Sequence, residues 1–359
     1  MTIHDLDEHR HDEPRRVGLE DVARRAGVSR STASRALVDD PRISEPTRAA
    51  VKAAATLLQY VPNAAARGLR AKRTRILGLL LTDLSDPVHG QIAAAFEQEA
   101  LAGGYRVIVG AGMQDASLER KVLRVFMEQA VDGVAMVSSV MAPTEARSHL
   151  RSDRLIFVLP DHRTFDPDSP PVPGSLLTDD AEGVEAIVDH LVELGHRDIS
   201  YVGSGELVSS ELRLEAVERA LARHGLHHVA DRYPSPADGW RRPGPIAARI
   251  AADLPDALIC YDDALALALM DALRSLGVET PDDVAIVGFD GIAFAALSNP
   301  RLTTVSTPLS EIGRLAASSL IHTIQTGVLP ESRVLPVELI VRESTRSEPP
   351  APVERQSRA

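Results

Sequence analysis

The stretch LEDVARRAGVSRSTASRAL, from Leu19 to Leu37, decides the fold of the N-terminal part of the chain. Four of its apolar residues share the spacing of one helix face. They are Leu19, Val22, Ala23 and Ala26. Gly27 tolerates the left-handed conformation at a helix end, and Ser29 is placed to cap a second helix. Two short helices joined by a glycine-containing turn predict a helix-turn-helix.

A small core is predicted around this motif. In the second helix, Ala33, Ala36 and Leu37 face inward at helical spacing. A third helix begins after Ser44, with Pro46 in its first turn. The apolar stripe of that helix consists of Val51, Ala54, Ala55 and Leu58. Three such apolar faces can close a core.

The outward side chains of the second helix point to nucleic acid. Arg30 and Arg35 can hold guanine with two hydrogen bonds or bind phosphate, and Ser31 and Thr32 can contact base edges or phosphate. The alternative is a solvated helix face. The charge distribution disfavours that alternative, because residues 15–75 hold fourteen Lys and Arg against five Asp and Glu, a net charge of +9. The whole chain carries −12 and residues 76–359 carry −17, which indicates nucleic acid at one end only.

Two segments, Leu19–Leu37 and YVPNAAARGLR from Tyr60 to Arg70, closely resemble the LacI/GalR family of bacterial transcription regulators. The resemblance implies that Arg30, Ser31 and Arg35 read bases. It implies phosphate-side contacts for Thr32, Ser34 and Asn63, and a DNA contact for Arg67.

A short Ala-rich linker follows the predicted helix-turn-helix of residues 17–62. Within this hinge and linker of residues 63–75, residues 63–71 are helix-prone, but a helix of about two turns is marginal in water. The family resemblance implies that this segment folds on the operator and that Leu69 wedges into the minor groove. The alternative for Leu69 is packing on the body of the protein. We expect the linker to be disordered off DNA.

From Ile76 onward the pattern changes to short apolar runs that alternate with helical stretches. Such alternation predicts βαβ units and parallel, doubly wound sheets. One set of strands lies near 76–81, 105–109, 133–138 and 155–159, and a second near 175–178, 199–203, 257–261 and 284–288. Two sets predict two similar subdomains whose strand ends face one cleft. Cys260 is interpreted as a small buried strand residue.

The family resemblance continues to about residue 345 and implies an α/β periplasmic-binding-protein-like domain behind an all-α helix-turn-helix domain. The implied effector and dimerisation domain spans 76–345. Its N subdomain takes 76–174 and 306–336, and its C subdomain takes 175–305 and 337–345. The termini, 1–16 and 346–359, are expected to be disordered tails.

Six residues stand at positions that face the ligand in the family. They are Asp86, Asp161, Arg213, Trp240, Asp262 and Asp290. Carboxylates and an arginine suit a polyol, and an aromatic face covers a sugar ring. Trp240 has an alternative as a loop residue packed on the rim. Asp262 stands where the family usually has an asparagine. This extra carboxylate favours a neutral sugar or polyol, or a cationic ligand, over a phosphorylated or carboxylated ligand.

Other functions are less well supported. The sequence contains no dinucleotide fingerprint, no phosphate-binding loop and no nucleophile elbow, so no enzyme and no cofactor are predicted. The scattered histidines do not predict a metal site. A purine effector would need aromatic residues, which make up only 3%. A solute-binding protein would need a signal peptide and would lack the helix-turn-helix of residues 17–62.

Partners and location follow from the same reading. One helix-turn-helix reads a half-site, so we expect a homodimer on a palindromic operator. No run of about 18 apolar residues occurs, so we expect no membrane segment and a cytoplasmic location. The tail 344–359 has no leucine heptads, so no tetramer is expected.

Overall fold

The computed structural model describes residues 17–60, 73–150, 152–160, 172–227, 233–236 and 239–345. They fall into two compact units, one ending at Thr74 and the other beginning at Arg75. None of the helices in these described ranges is long and apolar enough to cross a bilayer.

The first unit is a bundle of three helices, as predicted. The helices are α1 (Leu19–Arg25), α2 (Arg30–Ala36) and α3 (Glu45–Leu57). Gly27 has a φ of +68° and turns the chain between α1 and α2. The Ser29 side chain accepts a hydrogen bond from the Thr32 amide at 3.1 Å, which caps α2. Ser44 precedes α3 as expected, but its hydroxyl lies 2.8 Å from the Thr47 hydroxyl and caps no amide.

The apolar faces predicted for the three helices meet in one core. The fully or nearly buried members are Val22, Ala23, Ala33, Ala36, Val51, Ala54 and Ala55. Alanines supply five of these seven side chains, so the helices approach closely and the unit stays small. The core places α2 with its polar residues on the outside.

The second unit contains two sheets with helices on their faces. Its strands are β1 (Ile76–Leu81), β2 (Arg106–Ala111), β3 (Gly133–Val137), β4 (Leu155–Val158), β5 (Ser175–Thr178), β6 (Ile199–Val202), β7 (Ala257–Cys260), β8 (Ala285–Asp290), β9 (Thr303–Ser306), β10 (Arg333–Leu335) and β11 (Glu338–Ile340). Its helices are α4 (Pro87–Ala102), α5 (Ala116–Glu128), α6 (Pro143–Leu150), α7 (Asp180–Glu193), α8 (Val208–Arg223), α9 (Gly244–Ala252), α10 (Asp263–Ser275) and α11 (Leu309–Thr326).

The strand orders are those of doubly wound sheets. One sheet runs β10-β5-β4-β3-β1-β2, and the other runs β11-β9-β8-β7-β6. All pairings are parallel except that of β11 with β9. In β1, Leu77, Leu79 and Leu81 enter one core, whereas Leu80 enters the core on the opposite face. Burial on both faces explains why these strands read as continuous apolar runs.

One predicted boundary is wrong. We placed residues 175–178 in the second set of strands, with the first crossing near 174. In the structure β5 pairs with β4, through Phe157 with Ser175 and Val158 with Leu176, so the chain crosses only after Thr178. An apolar run of strand length does not reveal which sheet edge it joins. The other crossings lie between Ser306 and Leu309 and between Leu335 and Glu338.

The helix α11 returns to the first sheet and completes its core against α4. Leu309, Ile312 and Leu320 of α11 pack with Ile92 and Phe96 of α4. Gly313 allows the closest approach, because a Cβ there would lie 2.3 Å from the Ile92 carbonyl oxygen. Cys260 is buried in β7 as interpreted from the sequence.

Candidate functional site

The outward face of α2 is the candidate nucleic-acid interface. Arg30, Ser31 and Arg35 are exposed, and Thr32 and Ser34 are half-buried. The Arg30 guanidinium lies 3.7 Å from the Glu20 carboxylate, but both side chains are more than half exposed, so the arginine is free to exchange that partner for DNA. This face therefore offers two guanidinium groups and three hydroxyls to a major groove.

Hydroxyls at the start of α2 form a small cluster. Ser29 Oγ lies 3.0 Å from Ser31 Oγ and 2.9 Å from Thr32 Oγ1. These contacts lie in the first turn of α2, where the backbone amides point toward the N-terminal end of the helix. The remaining predicted DNA contacts, Asn63, Arg67 and Leu69, lie outside the described residues.

The second candidate site lies at the carboxyl ends of the strands in the second unit. Asp86 follows β1 and caps α4, its Oδ1 accepting from the Val88 amide at 2.8 Å. Asp262 follows β7 and caps α10 by accepting from the Leu265 amide at 2.6 Å. Asp290 ends β8. The position at strand ends is where open parallel sheets bind ligands.

Arg213, on α8, belongs to this second candidate site, which we call the cleft. It is buried, and its Nε donates to Asp180 Oδ2 at 2.8 Å while its Nη1 donates to the Tyr261 carbonyl at 2.6 Å. Its Nη2 lies 3.6 Å from Asp290 Oδ1. The guanidinium also stacks over the ring of Phe289, with 3.7 Å between its central carbon and the ring centre. These contacts fix the guanidinium in one orientation, as a rigid fork for a ligand requires.

The cleft concentrates carboxyl groups that influence one another. Burial raises the pKa of Asp262 to about 6, the Leu265 amide lowers it, and Asp86 raises it again. Burial likewise raises the pKa of Asp290 well above its ordinary value, although Arg213 opposes the shift. Asp86 also raises the pKa of Asp290. The structure thus brings Asp86, Asp262, Asp290 and Arg213 together, and their contact with an effector stays a prediction.

Asp290 also has an unusual backbone. Its φ is +100°, a region that non-glycine residues rarely adopt. Its carbonyl accepts from the Thr307 amide at 3.1 Å, which ties the end of β8 to the crossing after β9. Strain of this kind is typical of functional sites.

The two remaining candidate effector residues, Trp240 and Asp161, are not part of this group of carboxylates around Arg213. Trp240 lies in the short 3-10 turn Gly239–Arg241, is half-buried and packs against the core of the second sheet. Arg241 stacks on its ring at 4.3 Å. These contacts agree with packing at the rim, and stacking on a ligand stays a prediction. Asp161 lies outside the described residues.

Sequence reasoning missed several residues of the cleft. Asp180 and Tyr261 hold Arg213, and Phe289 covers it. Asp263 is fully buried and accepts from the Thr304 hydroxyl at 2.6 Å. Aromatic residues next to predicted ligand positions at strand ends were the available signal for Tyr261 and Phe289. The Thr307 hydroxyl is buried and has no hydrogen-bond partner among the described residues, and no sequence signal marks it.

Comparisons with known proteins agree with this architecture. The lacI family of bacterial regulatory proteins matches residues 18–63, and a periplasmic binding protein-like domain matches residues 188–345. The ribose operon repressor of Escherichia coli is 30% identical over 320 residues, which cover 88% of this chain and 96% of that repressor.

Solved structures with the same fold are also found. The lac repressor dimer bound to operator and the anti-inducer ONPF has a TM-score of 0.79 and 24% identity, covering 92% of this chain and 99% of that one. The CelR–cellobiose complex has a TM-score of 0.63 and 26% identity, covering 92% of this chain and 100% of that one. The chain belongs to the LacI family of DNA-binding, helix-turn-helix transcriptional regulators.

Proposed function

We propose that the protein represses transcription by binding a palindromic operator as a homodimer, under the control of a sugar or polyol held in the cleft. The observation that carries the DNA part is the outward face of α2, which presents Arg30, Ser31 and Arg35 above a small, well-closed core. One such helix reads a half-site, and two related by a two-fold axis read a palindrome.

The dimer is supported by exposed apolar side chains in both subdomains. Val109 lies on the edge strand β2 and is 44% exposed, and Met113 just beyond it is 71% exposed. In the other subdomain Phe294 is 58% exposed and Leu297 is 77% exposed. Contiguous exposed apolar patches mark interaction surfaces, and each of these two pairs places large apolar side chains close together in the sequence, where the proposed dimer would cover them. Light scattering at micromolar concentration is expected to give a dimer, and a tetramer would count against the proposal.

The effector class follows from the chemistry of the cleft. Carboxylates accept hydrogen bonds from vicinal hydroxyls, and the oriented guanidinium of Arg213 donates to them. Arg213 is already close to Asp180 and Asp290, so it has little charge to spare for a phosphate or carboxylate ligand. The relatives support a sugar, since one is a ribose operon repressor and another was solved with cellobiose.

A selection experiment tests the DNA part. The full chain is bound to DNA fragments with random sequence, and bound fragments are enriched and sequenced. We expect a palindrome to emerge. Arg35→Ala is expected to change the preferred bases, whereas Arg25→Ala, an exposed arginine on α1, is expected to leave the preferred sequence unchanged. Failure to enrich any palindrome would refute the proposal.

A thermal-shift panel tests the effector part. Ribose, cellobiose and neutral polyols are compared with sugar phosphates and nucleobases. A ligand at 100 times its Kd adds about 2.7 kcal/mol to the stability of the native state, which raises the melting temperature. A neutral sugar or polyol is expected to do so, and Asp290→Asn is expected to abolish the shift. A response to nucleobases alone would favour a purine-responsive regulator.

A further inference from the structure

A contact joins the two subdomains at one point on the rim of the cleft. Arg241 lies in the turn before α9, in the subdomain of the second sheet, and Asp83 and Ser85 lie in the loop after β1. Arg241 Nη2 donates to Asp83 Oδ2 at 2.9 Å and to Ser85 Oγ at 2.5 Å. The same loop carries Asp86, a candidate effector ligand. The contact therefore links a ligand loop of one subdomain to the rim of the other.

The loop after β1 is organised to present this acceptor. Asp83 Oδ1 accepts from the Ser85 amide at 2.8 Å and from its hydroxyl at 2.7 Å, which leaves Oδ2 for Arg241. His89 Nδ1 lies 2.8 Å from the Asp83 carbonyl oxygen and anchors the loop from below. Although partial burial opposes it, the hydrogen bonds from Ser85 and Arg241 lower the pKa of Asp83. Asp83 is therefore an ionised partner at neutral pH.

The donor is restrained on its other side. The Arg241 guanidinium lies 4.3 Å from the centre of the Trp240 ring, and Trp240 packs on the core of the second sheet. A guanidinium on an indole face gains a cation–π attraction. Arg241 is thus stacked on its own subdomain while it reaches the opposite one.

We propose that Arg241 is a positioning residue that closes the effector cleft by clasping Asp83 and Ser85 across the mouth. The proposal rests on the proposed function, since it assigns the regulation of that same cleft. It also gives Trp240 a role as the platform of the clasp.

The clasp is suited to a gate that opens and closes. Arg241 and Asp83 side chains are 43% and 42% exposed, so water competes for both groups. An exposed pair of this kind shifts an equilibrium by a factor of about two to five, and salt weakens it. Such a contact biases the cleft toward closure but still allows an effector to enter and leave.

The single tryptophan of the chain makes the clasp measurable without DNA or effector. Release of Arg241 uncovers one face of the Trp240 ring, so acrylamide quenching of its fluorescence reports the open fraction. The full-length protein is compared with Asp83→Asn, which keeps the shape of the side chain, removes its charge and leaves the residues Arg241 and Trp240 unsubstituted. Arg242→Ala is the matched control, because Arg242 is the neighbouring exposed arginine.

We expect Asp83→Asn to raise the quenching constant about two-fold and Arg242→Ala to leave it unchanged. Raising NaCl from about 0.05 M to about 0.5 M should raise the constant of the unsubstituted protein but not that of Asp83→Asn. Ser85→Ala, which keeps the carboxylate, should give a smaller increase. Circular dichroism confirms that each variant is folded.

An unchanged quenching constant in folded Asp83→Asn, or an equal salt response in this variant and the unsubstituted protein, would overturn the clasp. Neither result would change the outcome of the operator selection or of the thermal-shift panel. Conversely, the quenching assay uses no DNA, so its result does not depend on whether the chain selects an operator. The two proposals can therefore fail separately.

Discussion

Replacing Asp263 with asparagine should remove one large contribution to the pH dependence of stability in the second unit. The Asp263 side chain is fully buried and accepts from the Thr304 hydroxyl at 2.6 Å and from the Ile292 amide at 2.8 Å. Burial nevertheless raises the pKa of Asp263 from 3.8 to about 7, with Asp262 adding to the shift. The ionised form is therefore the costly one in the folded protein.

The direction and size of the effect follow from proton linkage. Between about pH 4 and pH 7 the folded chain holds a proton on Asp263 that the unfolded chain has lost, so the free energy of unfolding falls as pH rises through this window. For a pKa of about 7 folded and an ordinary value unfolded, the loss between pH 5 and pH 8 is about 2.5 kcal/mol. Asparagine cannot ionise, and its oxygen accepts from the Ile292 amide while its amide donates to the Thr304 hydroxyl.

Urea denaturation followed by far-UV circular dichroism, at about pH 5 and about pH 8, measures this difference. The unsubstituted protein is expected to lose about 2.5 kcal/mol more than Asp263→Asn between the two pH values. Asp282→Asn, at an exposed position in the same subdomain, should behave like the unsubstituted protein. Equal losses in the unsubstituted protein and Asp263→Asn would refute a buried, proton-bearing Asp263.

Four further substitutions test other parts of the molecule. Gly313→Ala puts a Cβ against the Ile92 carbonyl and should cost about 2 kcal/mol, and an unshifted thermal midpoint would contradict this. Arg213→Leu removes the guanidinium partner of the half-buried Asp180 and of Asp290 and should cost about 3 kcal/mol in urea denaturation at neutral pH, a loss that a purely exposed arginine would not show. Ser29→Ala removes the cap of α2 and should cost about 1 kcal/mol, seen as faster hydrogen exchange in that helix; unchanged exchange would argue against the cap. Leu69→Ala should sharply weaken operator binding and leave effector affinity intact, and unchanged operator affinity would exclude the wedge.

Local features were predictable from the sequence because their causes are local. The α1–α2 turn follows from Gly27 and Ser29, whose conformational and capping preferences act within a few residues. The strands of the second unit were visible because burial on both faces makes their apolar runs continuous. Within the cleft, Asp86, Asp262 and Asp290 were named by the family resemblance, and in the structure each of them follows or ends a strand, where open parallel sheets bind ligands.

Features that depend on partners far along the chain were not predictable. The strand β5 belongs to the first sheet because of its pairing with β4 and β10, which its own four residues do not encode. Asp180 accepts a hydrogen bond from Arg213, which lies 33 residues further along the sequence. Its neighbour Asp179 is also an aspartate, but it caps α7 instead. The contact of Arg241 with Asp83 spans 158 residues and joins two subdomains. No periodicity connects such pairs.

The return of α11 to the first sheet bears on how the chain folds as it leaves the ribosome. The first sheet has four of its strands by Val158, yet its core lacks Leu309, Ile312 and Leu320 until α11 is made. The second sheet also waits, since Ser344 donates to the Ile286 carbonyl and accepts from the Thr303 amide only near the end of synthesis. Both halves therefore complete their cores late in synthesis. A nascent chain of some 300 residues carries a sheet face that α4 covers and α11 does not yet cover. Such a face is a natural substrate for chaperones, and a truncation before α11 should yield an aggregating fragment in place of a smaller binding domain.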